Sequence, residues 1–146
     1  MSAVRLQWNS EKGNSVSEIN LWAVLAAALA SFLLGGLWYS PVMFLRPWLK
    51  ATGQAESEQK PHPPSVFAAS FVFALVAAVS FAVLLGKKPP LEEALLRGLI
   101  VGVCFVGASF GINYQFSGRS MTLWLIDGGY HVAQFAVYGL ILGSWH

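Results

Sequence analysis

The residues most able to do chemistry lie on one short stretch close to the C-terminal end of the sequence. Spacings of three and four residues separate Trp124, Asp127, His131, Gln134 and Tyr138. On an α-helix, which turns about 100° per residue, these side chains share one face. An acid and an imidazole four residues apart can share a hydrogen bond, and histidine titrates near neutral pH. The stripe therefore favours one of two hypotheses: a proton relay or substrate site, or structural hydrogen bonds that fix helix register.

The sequence offers little other support for catalysis or metal binding. It contains no Ser/His/Asp order, no nucleotide-binding glycine loop and no pair of catalytic carboxylates. Cys104 is the only cysteine and lies in an apolar run, so a disulfide within this chain is excluded. Together with Asp127 and His131, it lacks any recognised spacing of metal ligands. We therefore predict that the protein is not an enzyme and holds neither a cofactor nor a metal.

The composition is typical of a membrane protein. Charged residues make up 11% of the chain, where a soluble domain has about a quarter, while 55% are apolar and 14% aromatic. A chain of this composition has no polar shell to present to water, and we expect membrane lipids as its surroundings. The net charge of +2 and the lack of a Lys/Arg cluster with interleaved aromatics exclude nucleic acid as a partner.

Four long apolar runs must position the stripe. A helix needs about 20 residues to cross about 30 Å of hydrocarbon, and each run is long enough. The runs cover residues 19–39, 65–86, 91–114 and 121–145. We predict an all-α membrane protein with four transmembrane helices in a compact bundle over residues 18–146, after a polar N-terminal segment over 1–17. Residues 42–50, which include Arg46 and Pro47 among apolar side chains, are predicted to lie along the membrane interface.

Four crossings would put both termini on the same side of the membrane. The aromatic residues agree, because Trp22 and Trp145 fall at one predicted interface, and Trp38 and Tyr39 at the other. The loop lysines and arginines divide equally between the two sides. Arg97 alone tips the positive-inside rule towards cytoplasmic termini.

Small residues at four-residue spacing provide faces on which helices approach closely in lipid, where the hydrophobic effect does not draw them together. The third run carries two such pairs, Gly98 with Gly102 and Gly107 with Gly111, which an α-helix puts on opposite sides. The first and fourth runs contribute Gly35, Gly139 and Gly143. We predict that these glycines pack the bundle; the alternative is that a left-over small face mediates homo-oligomerisation.

A tight turn at 117–120 would bring the third helix beside the fourth. In that hairpin Asp127 is level with Ser109, and Asn113 and Tyr114 follow on the same helix. We predict that Asp127 hydrogen-bonds to His131 or to one of these three residues. The predicted intramembrane polar cluster consists of Asp127, His131, Gln134, Tyr138, Asn113 and Ser109.

Two segments resemble a known family. The stretches GLWYSPVMF at 36–44 and INYQFSGRSMTLWLIDGGYHVAQFAVYGLILGSW at 112–145 are similar to the bacterial membrane family catalogued as domain of unknown function 1761. The resemblance spans 21–145. Its most specific parts are Trp38-Tyr39-Ser40-Pro41, Asn113, Ile126, Asp127, Tyr130 and His131. It implies four helices in a bacterial inner membrane, and it implies no reaction.

We therefore expect a non-enzymatic integral membrane protein, either a self-associating bundle or an accessory subunit of a larger membrane assembly. Its partners would be membrane lipids, together with its own copies or other membrane subunits. The alternative is a small proton-coupled transporter that uses the stripe. In size and helix number the chain is similar to the small multidrug resistance transporters, but those depend on an acidic residue in the first helix, and residues 19–45 contain none.

Overall fold

The computed structural model describes residues 19–55 and 61–145, and over these residues the protein is helical without strands. Within these ranges the helices are α1 (Leu21–Trp38), α2 (Leu45–Thr52), α3 (Pro64–Leu85), α4 (Leu91–Phe116) and α5 (Met121–Ser144). Four of them are long, and α2 has 8 residues. The predicted polar segment over 1–17 lies outside the described residues.

Local sequence signals determine the helix ends. Asn20 precedes α1, and its side-chain oxygen accepts hydrogen bonds from the backbone N–H groups of Trp22 and Ala23, at 3.1 and 3.2 Å. Ser120 caps α5 in the same way. After α3, Gly86 has a φ of 78°, a conformation that glycine adopts without steric cost. Gly86 therefore ends α3, and only short turns separate α4 from α3 and from α5.

Three of the long helices, α1, α3 and α4, have the length and composition to cross a membrane. The fourth, α5, has 24 residues but does not meet this criterion, because Asp127, His131 and Gln134 reduce its mean hydropathy. Composition alone therefore supports three spans where the sequence predicted four. The polar residues of α5 are tolerated because of its position: ten of its 24 residues are buried, compared with five of 18 in α1.

The central helix of the bundle is α5, which runs antiparallel to α1 and α4. Near one end, the indole N–H of Trp38 in α1 donates to Ile126 O in α5 at 3.0 Å. Farther along, Ser31 of α1 lies 3.1 Å from the hydroxyl of Tyr138. At the other end, residues beside the start of α1 and the end of α5 line one cavity. Helix α5 therefore extends over the whole length of the bundle.

Small residues of α1 and α3 form the core against α5. Ala27, Ala28 and Ala78 are fully buried beside Phe81 and Tyr138. Small side chains at these positions allow the close approach that helix packing in lipid requires. The outward sides of α1, α3 and α4 carry many exposed large apolar side chains, as a lipid-facing surface does.

A π-helical segment over Val101–Gly107 interrupts α4. Its backbone bonds join residue i to residue i+5, so each turn holds more residues than a turn of α-helix. The sequence predicted that the pair Gly98 and Gly102 and the pair Gly107 and Gly111 lie on opposite sides of this helix, and that prediction is wrong. The wider turns rotate the second pair towards the side of the first, so that Gly111 packs against Trp124 and the Cα of Gly107 packs beside Gly128, both in α5.

Distances to imagined Cβ atoms show how closely α4 approaches α5. A Cβ on Gly102 would lie 2.7 Å from Val132 Cα, and one on Gly111 would lie 3.1 Å from Trp124 Nε1. Gly35 of α1 packs against α5 in a similar way. The seam between α4 and α5, called the glycine seam below, consists of Gly98, Gly102, Gly107, Gly111, Gly139 and Gly143. The predicted packing glycines thus make contacts within one chain.

The predicted interfacial segment over 42–50 consists of a turn followed by α2. Leu49 is buried against the bundle, whereas Arg46 and Lys50 are exposed. Gly53, with a φ of 74°, ends the helix. A short helix with one apolar side and outward cations suits a membrane interface.

Candidate functional site

The carboxylate of Asp127 is buried, with 9% of the residue exposed, and accepts three hydrogen bonds. The hydroxyl of Tyr39 donates to Oδ1 at 2.9 Å, and the indole N–H of Trp48 donates to the same oxygen at 3.2 Å. The hydroxyl of Tyr114 donates to Oδ2 at 2.7 Å. These four residues are called the carboxylate cluster below. An ionised carboxylate only accepts hydrogen bonds, so three neutral donors match it.

The turn after α1 directs the chain back across the end of the bundle. Pro41 disfavours the helical conformation in the residue before it, and Ser40 Oγ donates to Leu37 O at 2.6 Å. The backbone N–H of Phe44 then donates to Trp38 O at 3.0 Å. As a result, two aromatic donors on either side of this turn reach the same carboxylate.

A second set of polar groups lies farther along α5. His131 Nδ1 and Gln134 Oε1 are 2.8 Å apart, and Gln134 Nε2 donates to the hydroxyl of Tyr138 at 2.8 Å. Tyr138 donates to Ala74 O of α3 at 2.9 Å, and Ser31 Oγ of α1 lies 3.1 Å from the same hydroxyl. His131, Gln134, Tyr138 and Ser31 are called the amide chain below. The amide chain links α1, α3 and α5.

The directions of these bonds assign the histidine tautomer. Because the nitrogen of the Gln134 amide donates to Tyr138, its oxygen faces His131 and accepts from Nδ1–H. The other nitrogen, Nε2, has no hydrogen-bond partner among the described residues. The imidazole ring contacts Phe110 and Tyr130, with ring centroids 4.9 and 5.0 Å away. His131 is therefore oriented by one polar bond and two aromatic neighbours.

Further aromatic side chains donate to backbone carbonyls around α5. Trp124 Nε1 donates to Gly107 O, at the end of the π-helical segment, at 2.8 Å. The hydroxyl of Tyr130 donates to Ser31 O of α1 at 3.2 Å. Each bond satisfies a donor that is costly to leave unpaired in a membrane interior. Polar bonds thus connect α5 to α1 and α4 along much of its length.

The residues of both sets fall within a single family match. The family described as protein of unknown function (DUF1761) matches residues 22–143. The chain belongs to this family. The expected family membership is thereby confirmed, and the match extends from the first turn of α1 to the last turn of α5. No curated protein and no solved structure matches this DUF1761 chain.

Four of the six residues predicted to form the polar cluster of this DUF1761 protein make the contacts just described. The other two, Ser109 and Asn113, are exposed on α4, and their side chains form no hydrogen bond with another described residue. Because Gly107 and Gly111 face α5, residues two positions further on are about 200° away around the helix. These two side chains therefore point away from Asp127.

The predicted partners of Asp127 were partly right. Tyr114 donates to it, whereas the predicted hydrogen bond to His131 is absent, because the His131 ring bonds to Gln134. Tyr39 and Trp48 were missed as partners. Their residue types placed them at the membrane interface in the sequence analysis. The signal that could have identified them as partners is that each side chain carries an N–H or O–H donor and lies near the turn at Pro41 in the sequence.

Metal binding finds no support in the described part of the DUF1761 chain. Within residues 19–55 and 61–145, no group of three or more His, Cys, Asp or Glu side chains converges. Cys104 is exposed on α4. Every buried side-chain nitrogen or oxygen in these ranges has a hydrogen-bond partner. The arrangement is therefore suited to cross-linking helices.

Proposed function

We propose that the protein is a non-enzymatic, four-pass membrane protein that serves as a structural subunit of a membrane assembly, made of its own copies or of other integral membrane proteins. The observation that carries this proposal is that the buried polar side-chain atoms of the described residues are all hydrogen-bonded. Asp127 has three donors, and Gln134 has partners on both sides. Groups bonded in this way fix helix register and leave little capacity for a substrate.

In this proposal α5 is the fourth crossing. A helix of 24 residues is about 36 Å long, which exceeds the hydrocarbon thickness of about 30 Å. Its polar side chains face neighbouring helices. This arrangement lowers the free-energy cost of polar residues within a membrane, because they contact protein and not lipid. Both termini then lie on one side, and we assign them to the cytoplasmic side of a bacterial inner membrane.

We assign the partner-facing surface to the outward side of α4. The glycine seam is occupied by α5, so it does not serve a second chain. Only 17% of the apolar window of α4 is buried, compared with 28% for α1 and for α3. Ser109 and Asn113 lie on this exposed side, and such polar groups form hydrogen bonds between helices in lipid.

A small proton-coupled transporter is the second candidate, because Asp127 is a buried acid and His131 Nε2 has no described partner. The geometry gives this candidate less support. His131 bonds to Gln134 and not to Asp127, and an amide does not titrate, so the amide chain is a poor proton path.

Reporter fusions test the topology. A reporter at Gly53 and one at the C-terminus should report opposite sides of the membrane, since an odd number of crossings separates them if α5 spans. The same location for both reporters would mean that α5 does not cross.

Photo-cross-linking tests the assembly surface. A benzophenone amino acid in place of Phe105, which is 65% exposed on α4, should give cross-linked adducts in the membrane. The matched control replaces Phe73, which is 73% exposed on α3, and should give few. Equal yields from the two positions would contradict the assignment to α4.

Proton transport is tested in liposomes that contain a pH-sensitive dye. The structural proposal expects no proton flux from the wild-type protein beyond that of empty liposomes. A flux that Asp127→Asn abolishes, with assembly unchanged, would establish the transporter instead.

A further inference from the structure

A cavity of about 320 Å³ opens where α4 ends and α5 begins. It lies at the end of the bundle that holds the carboxylate cluster, and Tyr114 lines it, whereas Asp127 does not. Liquid water occupies about 30 Å³ per molecule, so this space is much larger than a hydration site. The cavity can therefore hold a small polar group together with part of an apolar one.

The lining of this cavity combines hydrogen-bond donors with an apolar wall. Gln115, Arg119 and Ser120 carry the donors, and Ile112 and Met121 contribute to the wall. All five residues are exposed, and no acidic residue is among the described residues that line the cavity. The lining therefore fits a ligand in which an anionic, hydrogen-bond-accepting group is joined to an apolar part.

The positive charge of Arg119 is not neutralised within the described part of the chain. Over residues 19–55 and 61–145, its guanidinium forms no ion pair and no hydrogen bond. Its charge acts on the hydroxyl of Tyr114, but a tyrosine hydroxyl is neutral near pH 7, and this one already donates to Asp127. A guanidinium carries donors only, in a fork that matches two phosphate oxygens. Arg119 is therefore able to bind an anion from outside the chain.

The backbone holds Arg119 at the edge of the cavity. Gly118 has a φ of 64°, and the backbone N–H of Arg119 donates to Tyr114 O at 2.9 Å. This turn joins two long helices, and Trp124 lines the cavity one turn into α5. Indole rings gather at membrane interfaces, so the cavity is placed at the depth of lipid headgroups.

We propose that this cavity binds the headgroup of an anionic phospholipid, with Arg119 and Gln115 beside its phosphate and with Ile112 and Met121 along its glycerol and first acyl carbons. The charge of Arg119 favours an anion, and the apolar wall favours a lipid over free phosphate. Basic pockets between transmembrane helices bind such headgroups. This inference goes beyond the proposed function, and it requires only that the turn between α4 and α5 lies at headgroup level.

Native mass spectrometry of the full chain in detergent tests the proposal, with titrations of phosphatidylglycerol and of phosphatidylcholine. We expect tighter binding of phosphatidylglycerol. Arg119→Gln should lose about fivefold in phosphatidylglycerol affinity, and Arg119→Lys, which keeps the charge, should stay within about twofold of the wild type. Helical circular dichroism confirms that each variant is folded. Unchanged affinity in folded Arg119→Gln would overturn the site.

The matched control is Lys50→Gln, which removes an exposed lysine from α2, at the same end of the bundle but outside the lining of the cavity. Its phosphatidylglycerol affinity should remain within about twofold of the wild type. A loss equal to that of Arg119→Gln would show nonspecific attraction and overturn the site, as would equal binding of the two lipids. Competition by millimolar inorganic phosphate would assign the site to a free anion and refute the lipid proposal. None of these outcomes depends on the reporter locations, so the topology can fail separately.

Discussion

The carboxylate cluster and the amide chain differ in where they lie and in which elements they join. The carboxylate cluster is close to one end of the bundle, and its donors come from the turn after α1, from α2 and from α4. The amide chain is deeper, and its hydrogen bonds join α5 to α1 and α3, whereas α4 meets it only through the ring contact between Phe110 and His131. The two sets therefore hold different neighbours to the same central helix: the carboxylate cluster holds α2, α4 and the end of α1, and the amide chain holds α3 and the middle of α1.

This difference shows how the fold accommodates a carboxylate in an apolar protein. Tyrosine and tryptophan combine an apolar body with one polar tip and are common at membrane interfaces, so they can surround an acid there. At greater depth the protein uses an amide, hydroxyls and an imidazole, whose burial costs less than that of a charge. The carboxylate thus accepts its hydrogen bonds near the end of the bundle. The deeper hydrogen bonds are made by side chains that can stay neutral.

The largest expected effect comes from removing the acceptor of the carboxylate cluster. Asp127→Leu leaves three donors without their partner and should lower the free energy of unfolding by about 3 kcal/mol. Asp127→Asn should cost about 1 kcal/mol or less, because its oxygen can still accept from Tyr39 and Trp48 while the Tyr114 hydroxyl turns to accept from the amide. Unfolding in detergent measures both variants. Equal losses would show that the carboxylate charge, rather than its hydrogen bonds, stabilises the cluster.

A substitution in the glycine seam should weaken the carboxylate cluster and leave the amide chain intact. The Cβ of Gly102→Ala would lie 2.7 Å from Val132 Cα, so α4 must move away from α5, at a cost of about 2 kcal/mol. This movement should weaken the bond from Tyr114 and spare Tyr138, which has no hydrogen bond to α4.

Double-mutant cycles in the same unfolding assay measure this selectivity. Gly102→Ala should couple to Tyr114→Phe and be additive with Tyr138→Phe. The control is Gly36→Ala, where a Cβ meets nothing within 4 Å and should leave stability unchanged or raised. Equal coupling to both tyrosines would mean that the two sets of bonds are not independent.

The helices and the stripe on α5 could be predicted from the sequence because they depend on local patterns. An apolar run of about 20 residues predicts a long helix from the residues of that run alone. The spacing of Asp127, His131 and Gln134 likewise predicts one shared face without any knowledge of neighbours.

The partners of that face could not be predicted, because they depend on contacts between distant parts of the chain. Tyr39 lies 88 residues from Asp127 and Trp48 lies 79, and nothing local links them. The rotation of Gly111, and with it the outward direction of Asn113, follows from the π-helical segment. Reasoning that assumes about 100° per residue throughout a helix cannot anticipate it.

A smaller effect is expected within the amide chain. Tyr138→Phe removes the hydroxyl that bonds to Gln134, Ala74 and Ser31. Because Ser31 Oγ can still donate to Ala28 O, the other two bonds, at about 0.6 kcal/mol each, set the loss at about 1 kcal/mol. Ser31→Ala should cost less, because Tyr138 keeps both of those bonds. Unfolding in the same detergent compares the two. A larger loss from Ser31→Ala would show that the link to α1, rather than the link to α3, holds the amide chain in place.

The smallest effect distinguishes two adjacent residues of α4. Tyr114 donates to Asp127, whereas Asn113 points outward, although the sequence predicted each of them as an alternative partner of this acid. Tyr114→Phe should lower the free energy of unfolding of the detergent-solubilised monomer by about 1 kcal/mol. Asn113→Ala should change it by less than about 0.5 kcal/mol, since it removes no bond within the chain. If Asn113→Ala proved as costly as Tyr114→Phe in the monomer, the outward direction of Asn113 would be wrong. In membranes, by contrast, Asn113→Ala should reduce cross-linking from position 105, because the proposed assembly surface includes the amide that the monomer does not use.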